Sequence, residues 1–460
     1  MSDPFPSLPV DPRAVAPQAC SPLPCDSLPA AESVNPDRRS FMTTAAKGLL
    51  GVSFAGAVSS RAAHLLGADA NVAAAVQNGR AKHVIMLFMN GAMSHLDTFD
   101  PKPGTPEGGE TKVIQTRVPG IAFSEYLPRL AYLAGGLAVV RSMSTETGAH
   151  EQGRYLMRTA YKKLNSIQHP GLGAWMAHLK GRENKELPGN VFIGSDNSHP
   201  GAGFLPPNLS PVPIANPALG LQNTKLPSYL TESNFNRRLA LVNRLDGSFR
   251  TKYAGKQVEA YNEMYTEARR LMGSDSLKVF DIKEEPEKIR EAYGNNSLGQ
   301  GCLLARRLVQ DGVRFVEVNY GGWDMHQTLW DRVPEHAGNL DVAMGNLLRD
   351  LHSKGLLSET LVVLQTEFGR SPKINENAGR DHHPGAFSCV MAGAGIRGGQ
   401  VYGASDKRGF SVETDHCSVA AFHATIAAAA GIDYDEEHFA PNGRPFKVGG
   451  GAQPISQLLA

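Results

Sequence analysis

Short, continuous apolar runs recur along the chain and predict buried strands. The runs are "HVIMLFM" (83–89), "LAVV" (137–140), "NVFIG" (190–194), "VRFVEVN" (313–319), "TLVVLQT" (360–366) and "AFSCVMAG" (386–393). Most of them lack the apolar–polar alternation of a strand with one solvent-facing side. We therefore expect strands that are covered on both faces.

Patterns of helical spacing lie between these runs. They cover residues 154–164, 171–181, 234–273, 297–312 and 335–355. Strands and helices that alternate at these lengths predict an α/β fold with a mainly parallel sheet and helices on both faces. Residues 195–230 are rich in Pro, Gly and Asn and predict a surface excursion, and "HFAPNGRPFKV" near the C-terminus predicts a small edge hairpin.

The N-terminal region differs from the rest of the chain. Residues 1–36 are rich in Pro, Ala and Ser, and "RRSFM" (38–42) then precedes a weakly apolar stretch. This arrangement resembles a twin-arginine export leader, and "ADA" at 68–70 supplies the small residues that a leader peptidase favours. The apolar stretch is short, Gly-rich and interrupted by Lys47, so it does not predict a stable membrane span.

We therefore expect residues 1–70 to be a disordered N-terminus with a leader, and residues 71–460 to be a single α/β domain. The leader implies the twin-arginine translocase as a partner and a periplasmic or extracellular location. The alternative is a disordered N-terminus with a chance Arg-Arg pair.

Charge and cysteine content narrow the range of functions. The formal net charge of the 460 residues is +1, and no basic run is present, so we expect no nucleic-acid binding. Cys20 and Cys25 precede residue 70, which leaves Cys302, Cys389 and Cys417 without metal-type spacing. Twin-arginine substrates fold in a reducing compartment, so we expect no disulfide.

Chemically active side chains follow four of the predicted strands. Ligands bind at the carboxyl ends of the strands in an open parallel sheet. The segments that follow them are "NGAMSHLDTFDPKPG", "RSMSTETGAHEQG", "YGGWDMHQ" and "EFGRSPKINENAGRDHHPG". The sequence therefore predicts one polar edge that carries the functional site.

A metal site is the first candidate at this edge. Asp324 and His326 are two residues apart, so in an extended segment both side chains point to the same side. A third ligand would come from His383 or His382, and imidazole with carboxylate suits zinc, manganese or iron. The alternative is a set of hydrogen-bonded loop residues that stabilise irregular backbone.

Catalytic candidates lie in the other loops. Ser94 and His95 follow the first strand, although their neighbours are good turn and capping residues. His150 opens a helix whose N-terminus suits an oxyanion, and the hydroxyl of Thr145 is a candidate nucleophile. The guanidinium groups of Arg141 and Arg370 could neutralise a bound anion.

These motifs together resemble a known family. "NGAMSHLDTFDPKPG", "LAVVRSM", "AHEQG", "GGWDMHQ", "TEFGRSP" and "GRDHHPGAFSCVMAGAGIRGGQVYGASD" are similar to domain-of-unknown-function family 1501, a group of exported bacterial proteins. The resemblance covers about residues 38–435. That family is grouped with the alkaline phosphatase and sulfatase superfamily, which implies a fold of that type and metal ions at the strand ends.

The resemblance also implies which ligands are retained. Asp324, His326 and His383 match one superfamily site in chain order. At the second site, Asn90 and Phe368 stand where ligands would be expected, so only Glu367 could contribute a carboxylate. One divalent ion, zinc or manganese, is therefore expected. No Cys-x-Pro-x-Arg sequence is present, so the formylglycine nucleophile of sulfatases is absent.

Three functions compete at this point. The first is an exported metal-dependent hydrolase of phosphate or sulfate esters, acting on an anionic small molecule or polysaccharide. The second is a degenerate, non-catalytic member that binds an anionic polysaccharide, and the third is a scaffold for a catalytic partner. Metal content and turnover separate these three alternatives.

Overall fold

A computed structural model of the chain describes residues 79–252 and 266–460. The predicted leader lies outside these residues. Among the helices of the described ranges, none combines the length and the apolar character that crossing a bilayer requires.

Half of the strands of the described residues belong to one central sheet, and the others form small two-stranded sheets. The strands are β1 (His83–Met89), β2 (Val113–Gln115), β3 (Ala122–Ser124), β4 (Leu137–Met143), β5 (Asn190–Ile193), β6 (Val212–Ile214), β7 (Phe315–Tyr320), β8 (Thr360–Thr366), β9 (Gly369–Ile374), β10 (Arg380–His383), β11 (Phe387–Gly393), β12 (Gln400–Tyr402), β13 (Ala404–Ser405), β14 (Val412–Thr414), β15 (His438–Phe439) and β16 (Pro445–Phe446).

Helices alternate with these strands. They are α1 (Pro128–Tyr132), α2 (His150–Thr159), α3 (Leu172–Lys180), α4 (Glu232–Lys252), α5 (Glu287–Tyr293), α6 (Ser297–Gln310), α7 (Leu329–Ser353) and α8 (Val419–Ala429). Residues 266–272 are also helical.

The central sheet has eight strands in the order β12-β4-β11-β8-β1-β7-β5-β6. All its pairings are parallel except those of β11, which runs antiparallel to both β4 and β8. The predicted α/β fold with a mainly parallel sheet is confirmed. Because β11 runs in the opposite direction, its first residue lies at the same edge as the carboxyl ends of the other strands.

Both faces of the sheet are covered by apolar side chains, as the continuous apolar runs predict. In β1, Ile85 and Leu87 join one hydrophobic cluster with α6 and α7. Val84 and Met86 join a second cluster with α3 and α8. A strand between two such clusters has no solvent-facing side, so its sequence shows no alternation.

The six predicted strands coincide with β1, β4, β5, β7, β8 and β11. The surface excursion predicted for residues 195–230 is only partly outside the sheet, because β6 pairs with β5 and forms its edge. The C-terminal segment forms the predicted hairpin from β15 and β16. The helix predicted for residues 154–164 begins and ends earlier, at His150 and Thr159.

The segment between β8 and β11 is a hairpin and not the loop that the sequence predicts. Strands β9 and β10 pair in antiparallel fashion, with Arg380 opposite Ile374 and His382 opposite Arg370. Because β8 ends and β11 begins at the carboxyl edge of the sheet, the hairpin stands on that edge. The motif "GRDHHPG" is therefore held where the strands β1, β7 and β8 end.

Candidate metal centre

Three segments bring polar side chains together at the carboxyl edge. Glu367 directly follows β8, and Asp324 lies in the extended segment after β7. In that segment Trp323 and Met325 are buried, whereas Asp324 and His326 are not. This alternation is the one expected for an extended chain with a single buried side, and it turns both candidate ligands toward the edge.

The Asp324 carboxylate is the centre of the resulting cluster. Its Oδ1 lies 3.1 Å from His326 Nε2 and 3.2 Å from His382 Nε2, and its Oδ2 lies 3.3 Å from His150 Nε2. One ligand atom from each of His150, Asp324 and His382 lies within 4.8 Å of the others. His326 Nε2 is also 3.0 Å from His382 Nε2, so three imidazoles converge on one carboxylate.

The donor set fits a divalent metal ion. Tetrahedral ligands at about 2.0–2.1 Å from zinc lie about 3.3 Å apart, close to the separations around Asp324. Two atoms of the cluster have no hydrogen-bond partner within the described residues, namely His150 Nε2 and Glu367 Oε2. Buried polar atoms are normally satisfied, so both atoms are available to a bound cation. We conclude that His150, Asp324 and His382 could hold a metal, with Glu367 beside them.

Phe368 forms the floor of the cluster. It is fully buried, and its ring centroid lies 5.4 Å from that of His150 and 5.0 Å from that of His382. The two imidazoles are themselves in edge-to-face contact, with centroids 4.3 Å apart. The residue that cannot ligate a metal therefore limits the rotation of two residues that can.

Two glycines allow the segments to approach each other. A Cβ at Gly379 would lie 2.1 Å from the carbonyl carbon of His326, so only glycine fits where the hairpin crosses that segment. A Cβ at Gly153 would lie 2.8 Å from Phe368 Cδ1. The close approach of α2 to Phe368 brings His150 into hydrogen-bond contact with Glu367.

Neighbouring groups orient the imidazoles. His326 Nδ1 lies 2.9 Å from Asp381 Oδ1, and His382 Nδ1 donates to Gly148 O at 2.7 Å. With Nδ1 of each ring engaged, Nε2 is directed at the Asp324 carboxylate. Partners of this kind fix the tautomer and orientation of metal-binding histidines.

The charges of the cluster shift the pKa values of its members. Burial alone would raise the pKa of Asp324, but the hydrogen bond and charge of Arg370 lower it to about 2. Burial, together with the Arg370 guanidinium, lowers the pKa of His382. The hydrogen bond with Glu367 raises the pKa of His150. An ionised carboxylate and a neutral imidazole are the forms that bind metals, so the shifts of Asp324 and His382 favour binding, whereas His150 must release its proton to bind.

His383 lies outside this cluster, in contrast to the expectation that it would be the distant ligand. Its Nε2 lies 2.5 Å from Phe410 O, and its ring packs edge-on against the Phe410 ring. Adjacent residues of a strand point to opposite sides, and His382, opposite Arg370, takes the side of Asp324. Chain order alone could not distinguish the two histidines.

The sequence suggested that the Arg370 guanidinium could neutralise a bound anion. In the structure this guanidinium is not free to do so. Its N–H groups donate to the carbonyl oxygens of Gly91, Ala92 and Arg380 and to Asp324, and one lies 3.4 Å from His326 Nε2. An arginine has five such donors, and all are engaged. Arg370 therefore anchors Asp324 within the chain.

Ser94 and His95, the catalytic candidates after β1, are buried, and their hydrogen-bond partners do not belong to this cluster. Ser94 Oγ donates to Asp97, whose carboxylate is also paired with Arg380 at 2.7 Å. His95 Nε2 contacts Gly409 O at 3.0 Å, and burial lowers its pKa to about 4. Both residues hold the segment after β1 in place.

The remaining two candidates also have structural partners. Arg141 donates to Ala122 O at 2.8 Å and lies 3.5 Å from Asp100. Thr145 Oγ1 donates to Thr147 O at 3.1 Å, and its backbone N–H donates to Pro384 O. The sequence assigned His150 to an oxyanion or catalytic role, whereas the structure places its ring among the candidate ligands.

A family model agrees with the motifs. The model described as "Protein of unknown function (DUF1501)" matches residues 81–459. The chain belongs to this DUF1501 family. The match spans both the sheet and the candidate metal centre, so all the residues discussed above lie within the family domain. No curated protein matches this DUF1501 chain significantly.

Several solved structures show a distant similarity to this DUF1501 chain. The PsFucS1 sulfatase from Pseudoalteromonas sp. has a TM-score of 0.39 and 12% identity, over 80% of this chain and 72% of that one. Ps i-CgsB in complex with k-i-k-neocarrahexaose has a TM-score of 0.37 and 11% identity, over 77% of this chain and 72% of that one. The lipoteichoic acid synthase LtaP from Listeria monocytogenes has a TM-score of 0.34 and 8% identity, over 80% of this chain and 78% of that one. These similarities do not assign an activity to the DUF1501 chain.

Proposed function

We propose that this protein is a metal-dependent hydrolase of phosphate or sulfate esters. The convergence of His150, Asp324 and His382, with ligand atoms within 4.8 Å of one another, is the observation that carries the proposal. Zinc and manganese are the ions that best suit two imidazoles and a carboxylate. A divalent cation held there supplies Lewis acidity toward an ester oxygen.

The surroundings of the cluster support this role. The side chain of Asp324 is 46% exposed, so the ligands are open to a substrate from the solvent side. Glu367 and Phe368 close the opposite side of the cluster, because both are fully buried. A site with a rigid buried floor and one open side matches a catalytic centre better than a closed structural metal site.

The substrate class follows from the sequence resemblance to the alkaline phosphatase and sulfatase superfamily. We assign an anionic small-molecule or polysaccharide ester to this site. The leader at residues 1–70 supports a periplasmic or extracellular location, reached through the twin-arginine translocase. Folding before export allows the metal to be loaded in the cytoplasm.

Turnover assays test the proposal directly. The mature protein, supplied with Zn²⁺ or Mn²⁺, should hydrolyse p-nitrophenyl phosphate, bis(p-nitrophenyl) phosphate or p-nitrophenyl sulfate. Asp324→Asn should abolish turnover, whereas the control His352→Ala, on the exposed side of α7, should leave it unchanged. Metal-loaded protein that hydrolyses none of the three esters would contradict the hydrolase and favour the non-catalytic binder.

A further inference from the structure

We infer that Arg154 and Asn90 form a binding site for a tetrahedral oxyanion, sulfate or phosphate, beside the candidate metal centre. This inference rests on the proposed function, since it specifies how the anionic part of the ester is held. Arg154 takes the anion-binding role that the sequence suggested for Arg141 and Arg370, whose guanidinium groups donate hydrogen bonds to other residues of the chain.

The position of Arg154 follows from helix periodicity. His150 and Arg154 are separated by four residues in α2, so their side chains lie on the same face of the helix, one turn apart. His150 reaches the Asp324 carboxylate from this face. Arg154 therefore extends toward the same edge of the sheet.

Asn90 fixes where the guanidinium of Arg154 lies along that edge. Asn90 directly follows β1, and β1 lies between β7 and β8 in the sheet. These two strands lead into Asp324 and Glu367 respectively. Arg154 Nη1 is 3.4 Å from Asn90 Oδ1, so the guanidinium lies beside the end of β1.

Two groups of donors remain available there. Arg154 Nε lies 3.2 Å from Ser198 Oγ and Nη1 faces Asn90, but Nη2 has no partner within the described residues. Arginine can only donate, so the Asn90 atom that faces it is the oxygen. The Asn90 amide nitrogen then points elsewhere, and it has no partner in the described part of the chain. An oxyanion would accept from both groups.

The acidic group nearest to Arg154 pairs more closely with Arg158. Asp196 Oδ2 lies 3.4 Å from Arg154 Nε but only 2.6 Å from Arg158 Nη1. The side chain of Arg158 is 1% exposed, whereas that of Arg154 is 20% exposed. Arg158 is therefore the closer, buried partner of Asp196, and Arg154 is the more solvent-exposed of the two cations. Glu317, which also pairs with Arg158, lies behind it.

The identity of residue 90 determines whether this site favours an anion or a cation. An amide nitrogen at this position can donate to an anion, whereas a carboxylate would repel one and attract a cation. Asn90→Asp preserves size and the contact with Arg154, so it changes the charge with little change in shape. This substitution separates oxyanion binding from a purely structural role.

Calorimetric titration of the mature protein with inorganic sulfate and, separately, with inorganic phosphate tests the inference, with and without Zn²⁺. Arg154→Ala and Asn90→Asp should each weaken oxyanion binding at least about tenfold, and Arg154→Lys should weaken it less. The control Arg408→Ala, which removes an exposed arginine paired with Glu107, should bind like the wild type. The sulfate and phosphate titrations show which anion is preferred.

Metal content, measured on the same samples, keeps this test separate from that of the hydrolase. Arg154→Ala and Arg154→Lys should retain the wild-type metal content, because Arg154 does not belong to the ligand cluster. Wild-type affinity for both anions in Arg154→Ala would overturn the inference, and so would the absence of oxyanion binding to wild-type protein under both metal conditions. Loss of metal from wild-type protein would instead contradict the proposed function.

Discussion

His382 lies opposite Arg370 in the β9–β10 hairpin, and both side chains contact the Asp324 carboxylate. Arg370 holds the carboxylate ionised, and His382 presents Nε2 to it at 3.2 Å. Backbone pairing in the hairpin therefore holds Arg370, which stabilises the ionised carboxylate, next to the candidate ligand His382. This coupling explains why Asp, His and Arg are concentrated in one short segment.

The buried ion pair of Asp97 and Arg380 should be important for stability. Both side chains are fully buried, and Arg380 Nε lies 2.7 Å from Asp97 Oδ2. Removing one member of such a pair leaves a buried charge uncompensated, so Asp97→Ala should lower the free energy of unfolding by about 3–5 kcal/mol. Urea unfolding of the variant checks this value.

Ser94→Ala is the matched control for that prediction. It removes two hydrogen bonds with Asp97, one donated to the carboxylate and one accepted from the backbone N–H, so the loss should be about 1–2 kcal/mol, and turnover should persist. A catalytic role for Ser94 would be supported by the opposite result, which is an intact free energy of unfolding with loss of turnover.

Stability in acid should depend on Asp196. Burial alone would raise the pKa of Asp196, but the charge of Arg158 and hydrogen bonds from Ser198 lower it to about 2, from an ordinary value of 3.8. Because the pKa is lower in the folded state, the carboxylate stabilises the protein above pH 3.8 and loses this effect as the pH falls through 2. The contribution is about 2 kcal/mol.

Urea unfolding at pH 5 and pH 2 should show this dependence. The free energy of unfolding of Asp196→Asn should lie below that of the wild type at pH 5, and this difference should be about 2 kcal/mol smaller at pH 2. Glu376→Gln, at an exposed position of the hairpin, is the control. Its free energy of unfolding should change between the two pH values by the same amount as that of the wild type. An unchanged difference between Asp196→Asn and the wild type at the two pH values would refute the assignment.

The three cysteines of the mature chain should be free but unreactive. Cys302, Cys389 and Cys417 are buried as free thiols, and burial raises the pKa of each, to about 12 for Cys417. A thiol reagent should therefore label the native protein slowly and label three thiols in denaturant without reductant. Fewer than three in denaturant would reveal a disulfide.

Export should depend on the paired arginines. Replacing Arg38 and Arg39 with lysine should leave the precursor in the cytoplasm, because the translocase recognises the arginine pair. Lys47→Arg is the control and should be exported normally. Cell fractionation and detection of the processed protein measure both, and unchanged export of the double variant would count against the leader.

The sequence predicts the sheet well because burial on both faces leaves a direct signal. Each strand covered by two hydrophobic clusters, such as β1, must be apolar throughout. It also predicts the carboxyl edge as the place of the site. The antiparallel direction of β11 has no such signal, since a buried antiparallel strand and a buried parallel strand look alike.

The candidate ligands were harder to choose from the sequence. His382 and His383 are adjacent, and only the register of the β9–β10 hairpin decides which of them faces Asp324. His150 joins the cluster through the packing of Gly153 against Phe368, a contact between distant segments. The close contact at Gly153 shows why a glycine in the first turn of a helix that follows a strand-end loop is a useful signal.

Metal content after dialysis, measured by mass spectrometry for the wild type, His382→Ala and His383→Ala, tests the central claim most directly. The wild type should retain about one divalent ion per chain, His382→Ala should lose it, and His383→Ala should retain it. Wild-type protein without metal, or loss of metal from His383→Ala but not from His382→Ala, would contradict the proposed centre.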